Sequence, residues 1–393
     1  MKKSLFYSLI LTAGLTFVGC GNNDDDMPVV SKDGVISSQT DIDLDPNDLK
    51  GNVQANVTLS NTQTWKLTGA LAVKSGFTLT IQAGTRIEAI VGGTNVYLVV
   101  EQGAKINAVG TAASPIRFTS SASNPRAGDW GGILINGFAK ISGGGTSTTE
   151  VLPLTYGGTN DADDSGTMEY VIIEYTGARI NGEKEFNGLT LYAVGSTTKI
   201  SNIVINKGDD DAIEWFGGTV AVSNLLVIDA RDDMFDWTQG WRSTGNSNWY
   251  GVRTADYTAV SEDTRGIEGD GNLDGNSPSD ADQSNPTINN LTIINNGIVS
   301  LADMVKIRRG SSATITNLYL GKAVSTPVAG DTIDLNDGKG TALASTSISG
   351  TVNVTNGVSL TDNNNPSGAT ITLTAGTTPS VNTSLFSWAG ISF

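Results

Sequence analysis

The chain has 393 residues, 47 of them glycine and 10 proline, with 38% hydrophobic and 16% charged residues. That is too apolar for disorder, and at this length a single globular core has stopped growing, whereas a solenoid extends by adding coils. A net charge of -16, no histidine and one cysteine exclude Ser-His-Asp and Cys-His catalysis, His-ligated zinc or haem and intramolecular disulfides, and argue against nucleic acid as a partner.

Met1, Lys2 and Lys3 make a positive start, and Leu5 to Val18 is an apolar run too short to span a bilayer. Residues 1–19 read as a signal peptide ending at Phe17-Val18-Gly19, just before the single cysteine, Cys20. The stretch resembles a bacterial lipoprotein box, which implies acylation of Cys20, palmitate included, and a membrane anchor. Residues 20–48 carry no sustained periodicity and read as a flexible tether. Within it, Asp24, Asp25 and Asp26 resemble the acidic export signal of Bacteroidetes surface lipoproteins, implying the outer face of the outer membrane.

From residue 49 to 393, short alternating apolar segments recur with no helical interruption, so this part is all-β. Leu79, Leu98, Ile116 and Ile133 stand 19, 18 and 17 residues apart, near the period of coil-building repeats. The stronger signal is internal: SNIVINKGDDDAIEWFGG (201–218) overlays SNLLVIDARDDMFDWTQG (223–240) without a gap, at a shift of 22. Looser copies follow at 289–307 and 316–335. These coils resemble the right-handed parallel β-helix of pectate-lyase-like proteins, and Asn202 and Asn224 resemble that fold's asparagine ladder. About 340 residues at roughly 22–28 per coil give on the order of 11–14 coils. Residues 144–166 and 241–286, rich in small polar residues, read as insertions. LTGALAVKSGFTLTIQAGTRIEA (67–89), GDWGGILINGFAKI (128–141) and RGIEGDGN (265–272) are similar to a family of bacterial surface β-helix proteins with no settled activity.

Strict alternation places Ile213 and Trp215 on one strand face and Glu214 on the other. If the isoleucine is internal, an outward charged column follows: Glu214, Asp236, Glu268, Lys306 and Asp334. Carboxylates stacked ~4.8 Å apart repel by about 1 kcal/mol per pair in water, so a cation, Lys306 with Arg308 and Arg309, or raised pKa values should offset them. A solvated acidic ladder is the plainest reading. The column also suits a glycosidase carboxyl pair, or a lyase with Lys306 or Arg308 as base. The Asn-Thr-Asp and Gly-His-Gly motifs of the polygalacturonase-type hydrolases it resembles are absent. The same parity turns Asp211 and Asp233 inward as turn-fixing residues. Trp241 and Trp249, flanking the second insertion, are the expected exposed ligand contacts, with Arg309 beside them.

Asp270, Asn272 and Asp274 fit the opening of a calcium loop, D-x-N-x-D-G, and Asp161, Asp163 and Ser165 form a weaker copy. The expectation is a surface-anchored β-helix that binds an extended ligand, most readily a polysaccharide, or serves an outer-membrane uptake system. The alternatives are a polysaccharide lyase or glycoside hydrolase, and a structural or adhesion protein.

Overall fold

The computed structural model describes residues 32–181, 184–258, 261 and 263–393; Cys20, the signal peptide and the tether up to residue 31 lie outside them. The described residues wind into a parallel β-helix with three sheets, each coil contributing one strand to each. In one coil, residues 199–201 lie in sheet 1, 203–206 in sheet 2 and 213–216 in sheet 3; the next coil repeats this at 222–223, 225–228 and 235–238. Sheet 3 runs from Val35–Ile36 through the partners of 51–53 and 70–73 to Asn363–Asn364.

Residues 32–48 are therefore not tether. Val35 and Ile36 pair with Asn52 and Val53, and Ile36 and Leu44 join the core. The 144–166 segment does leave the coil path and carries a two-strand hairpin, 147–148 against 155–156. The 241–286 segment is not one insertion. It contains the coil strands Asn246–Arg253 and Ile267–Asp270, and only the loops around them are long. Nor do Leu79, Leu98, Ile116 and Ile133 form one stack: Leu98 pairs with Ile133 in sheet 3, while Leu79 belongs to sheet 1 and Ile116 to sheet 2.

Sheets 1 and 2 meet at a single left-handed residue. Asn202, Asn224, Asn248, Asn290 and Asn317 all have φ between 52° and 59°, a conformation asparagine tolerates better than other side-chain-bearing residues. Each amide donates to the one below: Asn224 to Asn202 at 3.0 Å, Asn248 to Asn224 at 2.9 Å, Asn290 to Asn248 at 2.9 Å and Asn317 to Asn290 at 2.8 Å. Asn224→Ala loses two of these bonds and leaves a less tolerant residue at positive φ. We expect it to lower the unfolding free energy by about 1–3 kcal/mol in urea titration, and Asn224→Gly by less.

The interior is filled by the inward residues of all three sheets, among them Ile203, Ile205, Ile213, Leu225, Val227 and Phe235. Two outer faces are apolar as well, and each has a cover. On sheet 2, Ile172, Val204, Leu226, Tyr250 and Val252 lie beneath a C-terminal strap in which Val381, Phe386 and Ala389 are buried. The strap runs back along the solenoid: the Val381 amide donates to Thr292 Oγ1, Trp388 meets Tyr170 edge-on, and Arg117 donates to the Ala389 carbonyl. On sheet 3, Val99, Leu134, Tyr192 and Phe216 are covered by Ile141, Tyr156 and Phe186. Past Phe216 that cover ends, and the same sheet face turns from apolar to charged.

Candidate functional site

The charged column forms in the expected register. Glu214 pairs with Asp236, Asp236 with Glu268, Glu268 with Lys306, and Lys306 with Asp334. It points away from the interior, yet it is not a solvated ladder: Glu214, Lys306 and Asp334 are 8%, 8% and 6% exposed. A second charged column runs beside it, three residues earlier on each coil: Asn187, Asp211, Asp233, Arg265, Asp303 and Asp331. Its rungs are tied by the strand-preceding turns. Asp211 Oδ1 accepts from the Asp233 amide at 2.8 Å, and Asp233 Oδ1 from the Arg265 amide.

Asp211 and Asp233 thus fix the turns as expected but do not face inward. Oxygens of Asp211, Glu214 and Asp236 lie within 4.8 Å of one another, as do those of Asp211, Asp232 and Asp233. The turn 207–212 breaks the alternation on which the inward parity rested.

The two columns compensate unevenly. Arg265 Nη1 lies 2.5 Å from Glu268, and Arg308 reaches Glu268 at 2.5 Å and Asp270 at 2.8 Å. Lys306 Nζ bonds Asp334 and lies 3.5 Å from Asp303. At Asp211, Glu214 and Asp236 no such cation is interposed among the described residues. Burial, reinforced by neighbouring carboxylates, pushes Asp210, Asp211, Glu214, Asp233 and Asp236 well above the ordinary carboxyl range. A cleft opens onto this region, between Arg179 and Glu185 on one side and Ser261 and Asp263 on the other; every lining residue is charged or hydroxylic. Arg179 closes one wall by pairing with Asp210 at 2.8 Å.

The tryptophans are not at this surface. Trp241 and Trp249 are fully buried: Trp215 stacks on Trp241 at 4.4 Å and on Trp249 at 5.1 Å. Their indole N–H groups are satisfied by the Val220 and Val222 carbonyls. Gly269 takes the tryptophan's place on the next coil because a Cβ there would stand 2.5 Å from the Trp237 ring.

Arg309 is not free to receive a ligand either, since it pairs with Asp270 and Asp337 at 2.6 Å each. The calcium-type loop does not fit a cation. Both Asp270 oxygens are taken, by Arg308 and Arg309, and the buried Asn272 side chain is spent on Ser277, Gln283 and the Arg309 carbonyl; Asp274 is exposed on a left-handed turn. In the weaker copy, Asp161 accepts from the Lys140 amide and Asp163 from the Ser165 hydroxyl. Arg308, locked between Glu268 and Asp270 and raised in pKa, stays protonated and has no free lone pair to take a proton as a lyase base, and the Lys306 ammonium is held between two carboxylates.

Arg179, Glu185, Arg265 and Asn187 were not singled out from sequence. A signal was available: D-x-x-E at 211–214, D-x-x-D at 233–236, R-x-x-E at 265–268, D-x-x-K at 303–306 and D-x-x-D at 331–334 repeat one spacing on five coils. Glu150, beside the covering hairpin, was also missed. Burial, with repulsion from Glu185, pushes its carboxyl up to about 7 from an ordinary 4.5. The folded chain then binds more protons than the unfolded one between those values, so stability falls as pH rises through that window. Glu150→Gln should remove on the order of 2 kcal/mol of that fall, read from urea midpoints at pH 5 and pH 8.

No curated protein and no solved structure matches the chain. Residues 51–390, nearly all of the solenoid just described, match the family described as a pectate-lyase-like β-helix domain, and the chain belongs to that family.

Proposed function

We propose that the protein is a surface-anchored glycan-binding β-helix that takes an extended polysaccharide along the outer face of sheet 3. The observation that carries this is the wholly polar cleft on that face, where carboxylates and guanidinium groups repeat at the ~4.8 Å strand spacing. Sugar hydroxyls bond well to such rows of acceptors and donors. With the tryptophans buried, recognition rests on hydrogen bonds and charge rather than ring stacking. The carboxylate excess disfavours polyuronates and favours neutral or amino sugars. By analogy, sugars are the common ligands of this fold. Anchoring through Cys20 at the cell surface, alone or beside an uptake system, belongs to the same proposal; Cys20→Ala should release the chain from membranes into the soluble fraction.

One arrangement favours a hydrolase as the second reading. Glu214 and Asp236 stand on adjacent strands with raised pKa values, while Glu268 lies between two guanidinium groups; retaining glycosidases hold their carboxyls about 5–5.5 Å apart. A glycan array, run with reducing-end and unsaturated-uronate assays, separates the two. Binding to neutral or amino glycans without product supports the binder. Product release that disappears in Asp236→Asn makes it an enzyme, and no binding to any glycan overturns both.

A further inference from the structure

The two ends of the solenoid are finished differently. At the N-terminal end the open edge of sheet 1, Val57–Leu59, is closed by one side chain: the Gln39 amide donates to the Thr58 carbonyl at 3.0 Å and accepts from the Thr58 N–H at 2.6 Å. Beside it the Lys66 N–H donates to the Pro46 carbonyl, and Ile36 and Leu44 seal the core. At the C-terminal end the last strand is Thr370–Ala375. It pairs with Ser347–Val352 along one edge and with nothing among the described residues along the other.

The register shows which groups are left over. The Thr370 and Gly376 N–H groups donate back to the Thr346 and Val352 carbonyls. In a parallel pair the even-numbered residues therefore bond the previous coil, while Ile371, Leu373 and Ala375 direct their N–H and C=O groups out along the solenoid axis. Ile371 and Leu373 pack against the core yet are only partly buried, and Thr370, Thr372 and Thr374 are exposed on the outer face. Edges of this kind are ordinarily blunted by charge, proline or a covering segment. This strand has no charge and no proline, and Asp362 is the one ionisable side chain in residues 340–393 of a chain with a net charge of -16.

We infer that this edge docks a second copy of the chain, strand Thr370–Ala375 pairing antiparallel with itself about a two-fold axis through Thr372. Strand parity carries the argument. In that register Ile371 lies opposite Leu373 of the second copy, so the two exchange both backbone hydrogen bonds, and their side chains share the inner face and continue the core across the junction. On the outer face Thr372 meets its own copy and Thr370 meets Thr374 of the second copy, pairings that favour opposed strands. A slip of one residue would set isoleucine against threonine. The same surface serves both chains, so the interface is isologous and closes at two. Charge selects the same occupant: two acidic chains repel over most of their surface and meet here across ends almost free of it. The edge is separate from the charged columns of sheet 3, and the dimer sets two such faces in line whatever they bind.

The test uses the full chain carrying Cys20→Ala throughout, which removes acylation and the single thiol as routes to association. Sedimentation velocity over ~1–100 μM, the range in which interfaces of modest size act, is expected to show a monomer passing to a dimer and no larger species. Thr372→Lys places two ammonium groups opposite each other on the axis while changing one exposed side chain of the monomer, and it should weaken the dimer at least about tenfold. Thr372→Cys should give a disulfide-linked dimer on mild oxidation, because a residue on the axis faces its own copy at a Cα separation of ~4.5 Å, within disulfide reach. Thr370→Cys, opposite position 374, should not. A monomer at every concentration, a dimer that Thr372→Lys leaves unchanged, or cross-linking as efficient through Thr370→Cys as through Thr372→Cys overturns the inference. The cysteine pair decides the register even if Thr372→Lys folds poorly.

Discussion

Trp249→Ala is expected to lower the unfolding free energy by about 3–5 kcal/mol, the range for removing a fully buried large aromatic side chain. The indole is in contact with Trp215 and Phe235, at 5.1 and 5.0 Å between ring centres, and its N–H donates to the Val222 carbonyl at 2.9 Å. Truncation therefore opens a cavity between coils, removes the stacking with Trp215, Phe235 and Trp241, and leaves a buried carbonyl short of a bond. Collapse into it is limited, because the neighbours are themselves large rings. Guanidinium titration followed by tryptophan fluorescence reads the loss directly. A change under about 0.5 kcal/mol, the usual size for a surface position, would place Trp249 outside the core.

Lys306→Ala should cost a similar amount by a different route. The ammonium lies between Asp303 and Asp334, which are 6% exposed each. Removing one partner of a buried ion pair costs about 3–5 kcal/mol because the remaining charges are left without compensation. The origin can be separated from lost packing. Adding Asp334→Asn to Lys306→Ala should restore a large part of the stability, since one buried charge goes with its counter-ion, whereas a packing defect would persist. Denaturant midpoints of the two single variants and the double variant close the cycle. A double variant no more stable than Lys306→Ala would show that charge is not the cause.

The register of the charged column was legible in the sequence because a parallel β-helix stacks equivalent residues. A gapless shift of 22 then has one structural meaning, Glu214 beside Asp236. The direction of Trp249 was not legible, and the reason is a single residue. Asn248 sits at φ 58° between sheets 1 and 2 and reverses the alternation, so Trp249 enters the core where continued counting from Asn246, the partner of the core residue Ile288, would point it outward. Trp241 follows the strand Phe235–Thr238 by three residues, in a turn where period-2 reasoning has no force. The compensation within the cleft was hidden for a related reason: Arg179 comes from a loop before the repeat that meets Asp210 only once the chain has folded. The calcium-type loop failed because the pattern records which oxygens are present and not which guanidinium groups already hold them.

The C-terminal strap changes how the molecule should come apart. In a plain solenoid each coil touches only its neighbours, so end coils fray independently and melting spreads over a range of conditions. Here residues 381–389 lie across coils that contain Thr292, Tyr170 and Arg117. Contacts that distant in sequence make the strap a tie between early and late coils, and it cannot dock until those coils exist. Unfolding of the strapped coils should then be one cooperative step, and deleting residues 377–393 should split it into a broader, sequential one.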